Sequence, residues 1–153
     1  MQYTDPHTGE RYVPYVIEPS FGLSRSVLAT MLDAYHEEKY KDANGKEQTR
    51  VVAKFAKDIA PVTFAILPLI KKDETQIEFA QKVFQELNKE YVCEYDDGGA
   101  IGKRYRRQDE IGTPFCITID HDTSKDHTVT IRNRDTMQQE RCHIDRITSY
   151  MTS

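Results

Sequence analysis

No stretch of this sequence approaches the roughly 18 consecutive apolar residues that a membrane-spanning helix needs. The chain also opens without the basic-then-apolar pattern of a secretory signal. Both absences lead us to expect a cytoplasmic protein with no membrane partner. Cysteine is scarce: Cys93, Cys116 and Cys142 make three, an odd and widely spaced set. That set excludes a complete disulfide framework and lacks the spacing of a zinc site, so each reads as a small buried apolar residue in a strand. The five histidines (His7, His36, His121, His127, His143) lack ligand spacing as well, and no metal site is expected. An excess of positive charge is missing too. A formal net charge of −4 exerts no global pull on a polyanion, so any attraction to nucleic acid must come from a local patch. No internal repeat or low-complexity segment is visible.

What the chain does have is 38% apolar and 30% charged residues over 153 positions. That suffices for one ordinary globular domain, or for one domain with a remnant of another. After a polar start with a turn at Asp5–Gly9, residues 12–17 are β-rich, with Pro14 favouring an edge or strand start. Val27, Leu28, Met31, Leu32 and Tyr35 then form the stripe of an amphipathic helix, with Ser24 as its natural N-cap. Residues 39–50 are polar around an Asn44–Gly45 turn signal, and Arg50–Phe55 is expected as a short strand. A boundary falls near Lys57–Pro61, so the chain divides into residues 1–58 and 59–153. Val62–Leu67 is apolar enough for a buried central strand. Lys71 and Lys72 read as ordinary surface charges. Asp73 and Gln76 resemble a capping box, opening a helix that buries Ile77, Ala80, Val83, Phe84 and Leu87 and runs to Glu90. Strands are expected at 91–95, 115–120, 128–134 and 138–144, with a turn over 121–126 and a short final helix capped by Asp145. The order βαβαβββ with a helical tail is an α/β fold, a mixed sheet flanked by helices.

The most distinctive stretch runs from Asp96 to Phe115. Gly98, Gly99 and Gly102 allow a sharp turn or a close approach, and four cations, Lys103, Arg104, Arg106 and Arg107, follow. A helix beginning near Ile101 places Ile101, Tyr105 and Gln108 on one face and Lys103, Arg106, Arg107 and Glu110 on the other. Gly112 and Pro114 end it. A glycine loop, a basic helix and a strand in that order suit a phosphate backbone. Composition alone leaves an equal alternative, a solvated face with Arg106 and Glu110 paired at i,i+4.

The wording of residues 98–120, GGAIGKRYRRQDEIGTPFCITID, together with Val129–Met137, resembles the C-terminal anticodon-binding domain of the glycyl-tRNA synthetase family, among the class II aminoacyl-tRNA synthetases. Val16–Arg25 looks like motif 3 of the same family, with Ser24 where glycine or aspartate is usual. By geometry alone, residues 18–25 could form an anion site at the helix start, but the residues by themselves favour a capped helix with a surface arginine. The resemblance covers most of residues 12–145. It implies a class II anticodon-binding domain preceded by a strand–helix remnant of the catalytic domain. It further implies that Arg25 contacts ATP phosphates and that Glu18 and Ser20 help bind glycine. The resemblance implies that the parent protein ligates glycine to tRNA with ATP and Mg2+ as a homodimer; motifs 1 and 2 have no counterpart in these residues, so this chain by itself is expected to be inactive and without bound cofactor.

For the anticodon stem-loop of a glycine tRNA, the candidate contacts are Lys103, Arg104, Arg106, Arg107, Asp109, Glu110, Phe115, Arg132 and Arg134. The carboxylates Asp109 and Glu110 are candidates to accept from cytosine amino groups, because a glycine anticodon supplies two cytosines. An intrahelical ion-pair role for both is the equal alternative. Two rival functions stay open on the sequence: a free-standing RNA-binding or accessory module without aminoacylation activity, and an interaction domain whose basic helix meets an acidic protein.

Overall fold

Strands β1 (Tyr3–Thr4) and β2 (Arg11–Tyr12) pair antiparallel at the front of the chain. The turn between them is closed by Asp5, whose carboxylate accepts from the backbone N–H groups of His7 and Thr8 at 2.7 and 3.2 Å. The computed structural model from which these contacts are taken describes residues 2–41, 45–70 and 73–152. The strand expected over 12–17 stops at Tyr12, and residues 13–22 are irregular and exposed. A strand exists only by virtue of a ladder partner; this segment has none among the described residues, and Pro14 has no N–H to offer one.

Helix α1 (Leu23–Ala34) starts two residues earlier than expected, with Gly22 rather than Ser24 at its N-cap and no side chain capping it. Tyr35 leaves the helix and opens β3 (Tyr35–Lys41), which pairs antiparallel along its whole length with β4 (Glu47–Ala53). The polar segment 39–50 is therefore largely strand, and the strand expected at 50–55 begins three residues earlier and ends two earlier. The reason is visible in β4, where Arg50 and Val52 turn inward while Thr49 and Val51 face out. An arginine on the inner face breaks the apolar alternation by which a strand is recognised. Asn44, the first residue of the anticipated turn, lies outside the described residues.

A one-turn 3-10 helix (Lys57–Ile59) leads into the body of the molecule. There follow β5 (Phe64–Pro68), α2 (Glu74–Leu87), β6 (Cys93–Tyr95), α3 (Ile101–Ile111), β7 (Phe115–Ile119), a single turn α4 (Thr123–Asp126), β8 (Thr128–Asn133), β9 (Gln139–His143) and α5 (Ser149–Thr152). The sheet order is β6-β5-β7-β8-β9; the first three strands are parallel and the last two antiparallel to their neighbours. This is the anticipated mixed sheet. Its end differs in detail: the backbone N–H of Asp145 donates to His143 across a 3-10 turn, and α5 begins only at Ser149.

β5 and β7 are buried along their whole lengths, which is why both read as near-continuous apolar runs. Their alternate residues serve two cores. Phe64, Ile66, Phe115, Ile117 and Ile119 face Ala80, Val83 and Leu87 of α2, while Ala65, Leu67 and Cys116 face Ile101 and Tyr105 of α3. Full burial of each large side chain is worth about 1.5–3 kcal/mol, so these two layers hold the body together. Asp73 caps α2 through the N–H of Gln76, and the Gln76 side chain returns to the Asp73 carboxylate at 2.8 Å. Contacts also cross the boundary anticipated at residue 58: Arg50 reaches Asp109, Arg134 donates to the Phe55 carbonyl, and Lys57 to that of Tyr150.

Candidate nucleic-acid interface

The glycine loop is built around Asp96. Its carboxylate accepts from the N–H of Gly98 at 2.7 Å, and Gly99 turns the chain at φ +82, a conformation glycine adopts without Cβ strain. Arg107 folds back from α3 to donate to Asp96 at 3.1 and 2.5 Å and to the Gly98 carbonyl at 2.6 Å. Burial would raise the Asp96 carboxyl, but Arg107 and the Gly98 N–H outweigh it and hold it below its ordinary value.

The four cations of α3 divide into two kinds. Arg104 is 1% exposed and donates to the carbonyls of Pro68, Asp96 and Gly99. Its place in the sequence explains this: position 104 falls three after Ile101 and four before Gln108, on the inward face. It therefore clamps the ends of β5 and β6 instead of reaching an RNA. Arg107 is committed to the loop. Lys103 and Arg106 are exposed and form no hydrogen bond or ion pair through their side chains among the described residues; the Arg106–Glu110 pair of the alternative, solvated-face reading is not made. Glu110 is exposed on the outer side of the helix. Lys71 and Lys72 lie outside the described residues.

Asp109 is the centre of a buried ionic cluster. At 2% exposed, it receives both guanidinium nitrogens of Arg132 at 2.7 and 3.0 Å and Arg50 at 3.1 Å. Arg50 also donates to Glu38 at 2.9 and 2.5 Å and to the Arg134 carbonyl at 2.8 Å; Lys54 closes the far side of Glu38. Burial opposes ionisation of Glu38, yet Lys54 and Arg50 leave its carboxyl below the usual value. With both oxygens of Asp109 occupied by cations, the cytosine-accepting role expected for it gives way to an ion-pairing one. Arg132 lies with its guanidinium 4.9 Å from the Tyr105 ring centre, and the Tyr105 hydroxyl is 2.7 Å from that of Thr118.

Two further candidates sit elsewhere. Phe115 is 2% exposed on the α2 side of the sheet, stacked on Phe64 and edge-on to Tyr150; strand alternation sends it into the core, away from any ligand. Arg134 is buried, donating to the carbonyls of Gly112 and Phe55 and to Asp135. It ties the end of α3 to the chain after β4. Glu18, Ser20 and Arg25 are all exposed at the front, and no hydrogen bond among the described residues joins their side chains to anything.

What the structure does bring together is a cleft of about 630 Å³. Its floor is Asp109, Arg132 and Tyr105; α3 supplies one wall with Ala100, Gly102, Lys103 and Arg106; the hairpin β3–β4 supplies the other with Tyr40, Lys41 and Arg50; Met137 and Gln139 close the end. No side chain caps α3 at Ala100, and Ala100 and Gly102 bring this uncapped first turn to the cleft. Among the described residues, paired cations form the floor and unpaired ones the rim. Sequence reasoning missed Tyr40, Lys41, Arg50, Met137 and Gln139. A hairpin signal was present at residue 45, but nothing local said that the hairpin would fold onto α3.

Comparison with known proteins agrees with this architecture. A family described as "Anticodon binding domain" matches residues 63–153. Glycine–tRNA ligase of Caldanaerobacter subterraneus subsp. tengcongensis is 52% identical over 151 residues, 99% of this chain and 31% of that protein. The Clostridium perfringens glycine–tRNA ligase is 54% identical over 145 residues, 95% of this chain and 30% of that protein. The chain thus spans less than a third of the length of these relatives. A prolyl-tRNA synthetase from Cryptosporidium parvum, crystallised with L-proline and AMP, superposes with a TM-score of 0.59 at 18% identity, covering 74% of this chain and 29% of its own; that likeness is one of fold.

Proposed function

Because this chain belongs to the anticodon binding domain family, we propose that it grips the anticodon stem-loop of a glycine tRNA as the C-terminal part of a glycine–tRNA ligase. The observation that carries the reading is the cleft rimmed by Lys41, Lys103 and Arg106, three cations with no internal partner among the described residues. Single-stranded loops are recognised by stacking, base-edge hydrogen bonds and phosphate contacts. The rim supplies the phosphate contacts, and Tyr105 with Arg132 supplies a flat, cationic floor. Gln139 carries an amide that can accept from a cytosine amino group while donating to its ring nitrogen. Asp109 acts here by orienting Arg132, and Glu110 serves at the outer edge of the helix.

For the longer protein, the reading includes glycine activation with ATP and Mg2+, a homodimer and a cytoplasmic location. Residues 1–58 belong on this view to the catalytic domain. Arg25, exposed in the first turn of α1, can meet a phosphate there, and Glu18 and Ser20 the glycine amino group. The 153 residues by themselves should give only background glycine-dependent pyrophosphate exchange.

The test is binding of a glycine tRNA anticodon stem-loop to the 153-residue chain across a salt series. Reversing Lys103 and Arg106 to glutamate should weaken binding strongly and flatten the logarithmic salt slope by about 0.7 per lost phosphate contact. Reversing Lys82, exposed on α2, should do little. Equal losses from both would reduce the contact to nonspecific attraction and overturn the reading.

A further inference from the structure

The cleft has a wall that the matched residues 63–153 do not include. The hairpin β3–β4 is registered from Tyr35↔Ala53 to Lys41↔Glu47, and its period of two sends Glu38 and Tyr40 inward while Lys39 and Lys41 stay exposed. It does not hang free. Arg50 is 4% exposed and spends its donors on Glu38, Asp109 and the carbonyls of Arg134 and Asp135. A second fastening lies beyond the hairpin's end, where Gly112 closes α3 at φ +87 against Phe55 and the Ala53 carbonyl so tightly that a Cβ would stand 2.5 and 2.7 Å from them. The inner face so fixed presents one aromatic ring, Tyr40, across the cleft that Tyr105 and Arg132 floor. Tyr40 is half-buried and its hydroxyl has no hydrogen bond among the described residues.

We infer that the hairpin is a working part of the RNA site: Tyr40 stacks on a loop base, Lys41 meets the adjoining phosphate, and Arg50 is a positioning residue that holds both in place through Asp109. A ring on one wall and a cation–aromatic pair on the floor suit an unstacked base, whose faces need cover while its edge is read. The binding surface thereby extends upstream of the anticodon-binding domain itself, and a chain trimmed to the matched residues would lose affinity.

This inference rests on the anticodon reading above, and the experiment separates the two. Stem-loop affinity is measured on the full 153-residue chain with Tyr40→Ala, Tyr40→Phe, Arg50→Met, the Tyr40→Ala/Arg50→Met double variant and the Lys103/Arg106 reversal. Tyr40→Ala should weaken binding about tenfold, as loss of one base–aromatic stack does, while Tyr40→Phe binds like the parent. Arg50→Met should lose affinity too, and adding Tyr40→Ala to it should cost little more, since both remove the same contact. In the unaltered chain, the Tyr40 ring protons should shift upfield in NMR spectra as the stem-loop is added, a readout independent of how well any variant folds. A Tyr40 ring unmoved by RNA, a Tyr40→Phe loss equal to that of alanine, or additive Tyr40 and Arg50 losses would each overturn the inference. Sensitivity to the Lys103/Arg106 reversal with none to Tyr40→Ala sinks the hairpin's role and leaves the anticodon reading standing; no binding by the unaltered chain sinks both.

Discussion

Helices α1 and α2 carry the same kind of message in sequence and meet opposite fates. Each is amphipathic, at 12 and 14 residues. α2 lays Ala80, Val83 and Leu87 on the sheet, whereas α1 leaves Val27, Leu28, Met31 and Leu32 between 51 and 69% exposed. α2 is capped by Asp73, and α1 has no side-chain cap. An amphipathic stripe says that a helix has a partner; it does not say that the partner lies in the same chain. Nothing among the described residues covers the α1 stripe.

The contrast breaks first on the cores. Ile117→Ala, at a fully buried position, should cost about 2–5 kcal/mol in urea unfolding, and Leu32→Ala within about 0.5 kcal/mol. A comparable loss from both would mean that α1 is covered in solution. Amide exchange sharpens the same comparison: residues 26–33 should exchange through local opening, and 64–67 only through global unfolding.

Gly112→Ala tests whether the hairpin and body are one unit. A left-handed backbone conformation costs a non-glycine residue about 1–3 kcal/mol, and the added methyl would also strike Phe55 and the Ala53 carbonyl. The loss should appear in a single cooperative transition. If the loss is confined to protection of the hairpin, the two parts are separable.

Next in size is the cap. Asp73→Ala should destabilise by about 1 kcal/mol, with faster exchange in the first turn of α2. α1 already lacks such a cap, and introducing Gly22→Asp should slow its exchange without moving the global midpoint.

The smallest effect concerns acid. Glu38 and Asp96 both sit below their ordinary values because Lys54 with Arg50, and Arg107 with the Gly98 N–H, outweigh the opposing effect of burial. A carboxyl depressed in the folded state adds stability that is fully present above its unfolded value, about 4. That stability is lost as the pH falls through the folded value. Both pairs are partly exposed, so each is worth under about 1 kcal/mol. Asp96→Asn should flatten the decline in unfolding midpoint below about pH 4, and the body of the sheet should be the last part to feel it.

How much was legible follows from what each residue needs. The buried strands β5 and β7 and the glycine stop of α3 needed only local pattern, and they were anticipated to within two residues. Arg104, Asp109, Phe115 and Arg134 were read as ligand-facing, and the fold turned them inward. A buried charge is tolerable only where partners meet it, and those partners, Pro68, Arg50, Gly112 and Phe55, come from other elements. Tyr40 escaped notice for the complementary reason. Nothing near it in sequence distinguishes a strand residue at a cleft from one in solvent.

The sequence by itself determined the elements of the body, because helix and strand periods, caps and glycine turns there are settled by residues within a few positions of each other; β3, and the absence of a strand over 13–17, were decided by ladder partners instead. It also determined the family likeness, since that is carried by contiguous words such as residues 98–120. Tertiary structure alone decided which cations are free for a ligand and which are consumed in holding the chain. A guanidinium's role depends on the carbonyls and carboxylates within about 3 Å of it, and folding brings those from positions tens of residues away.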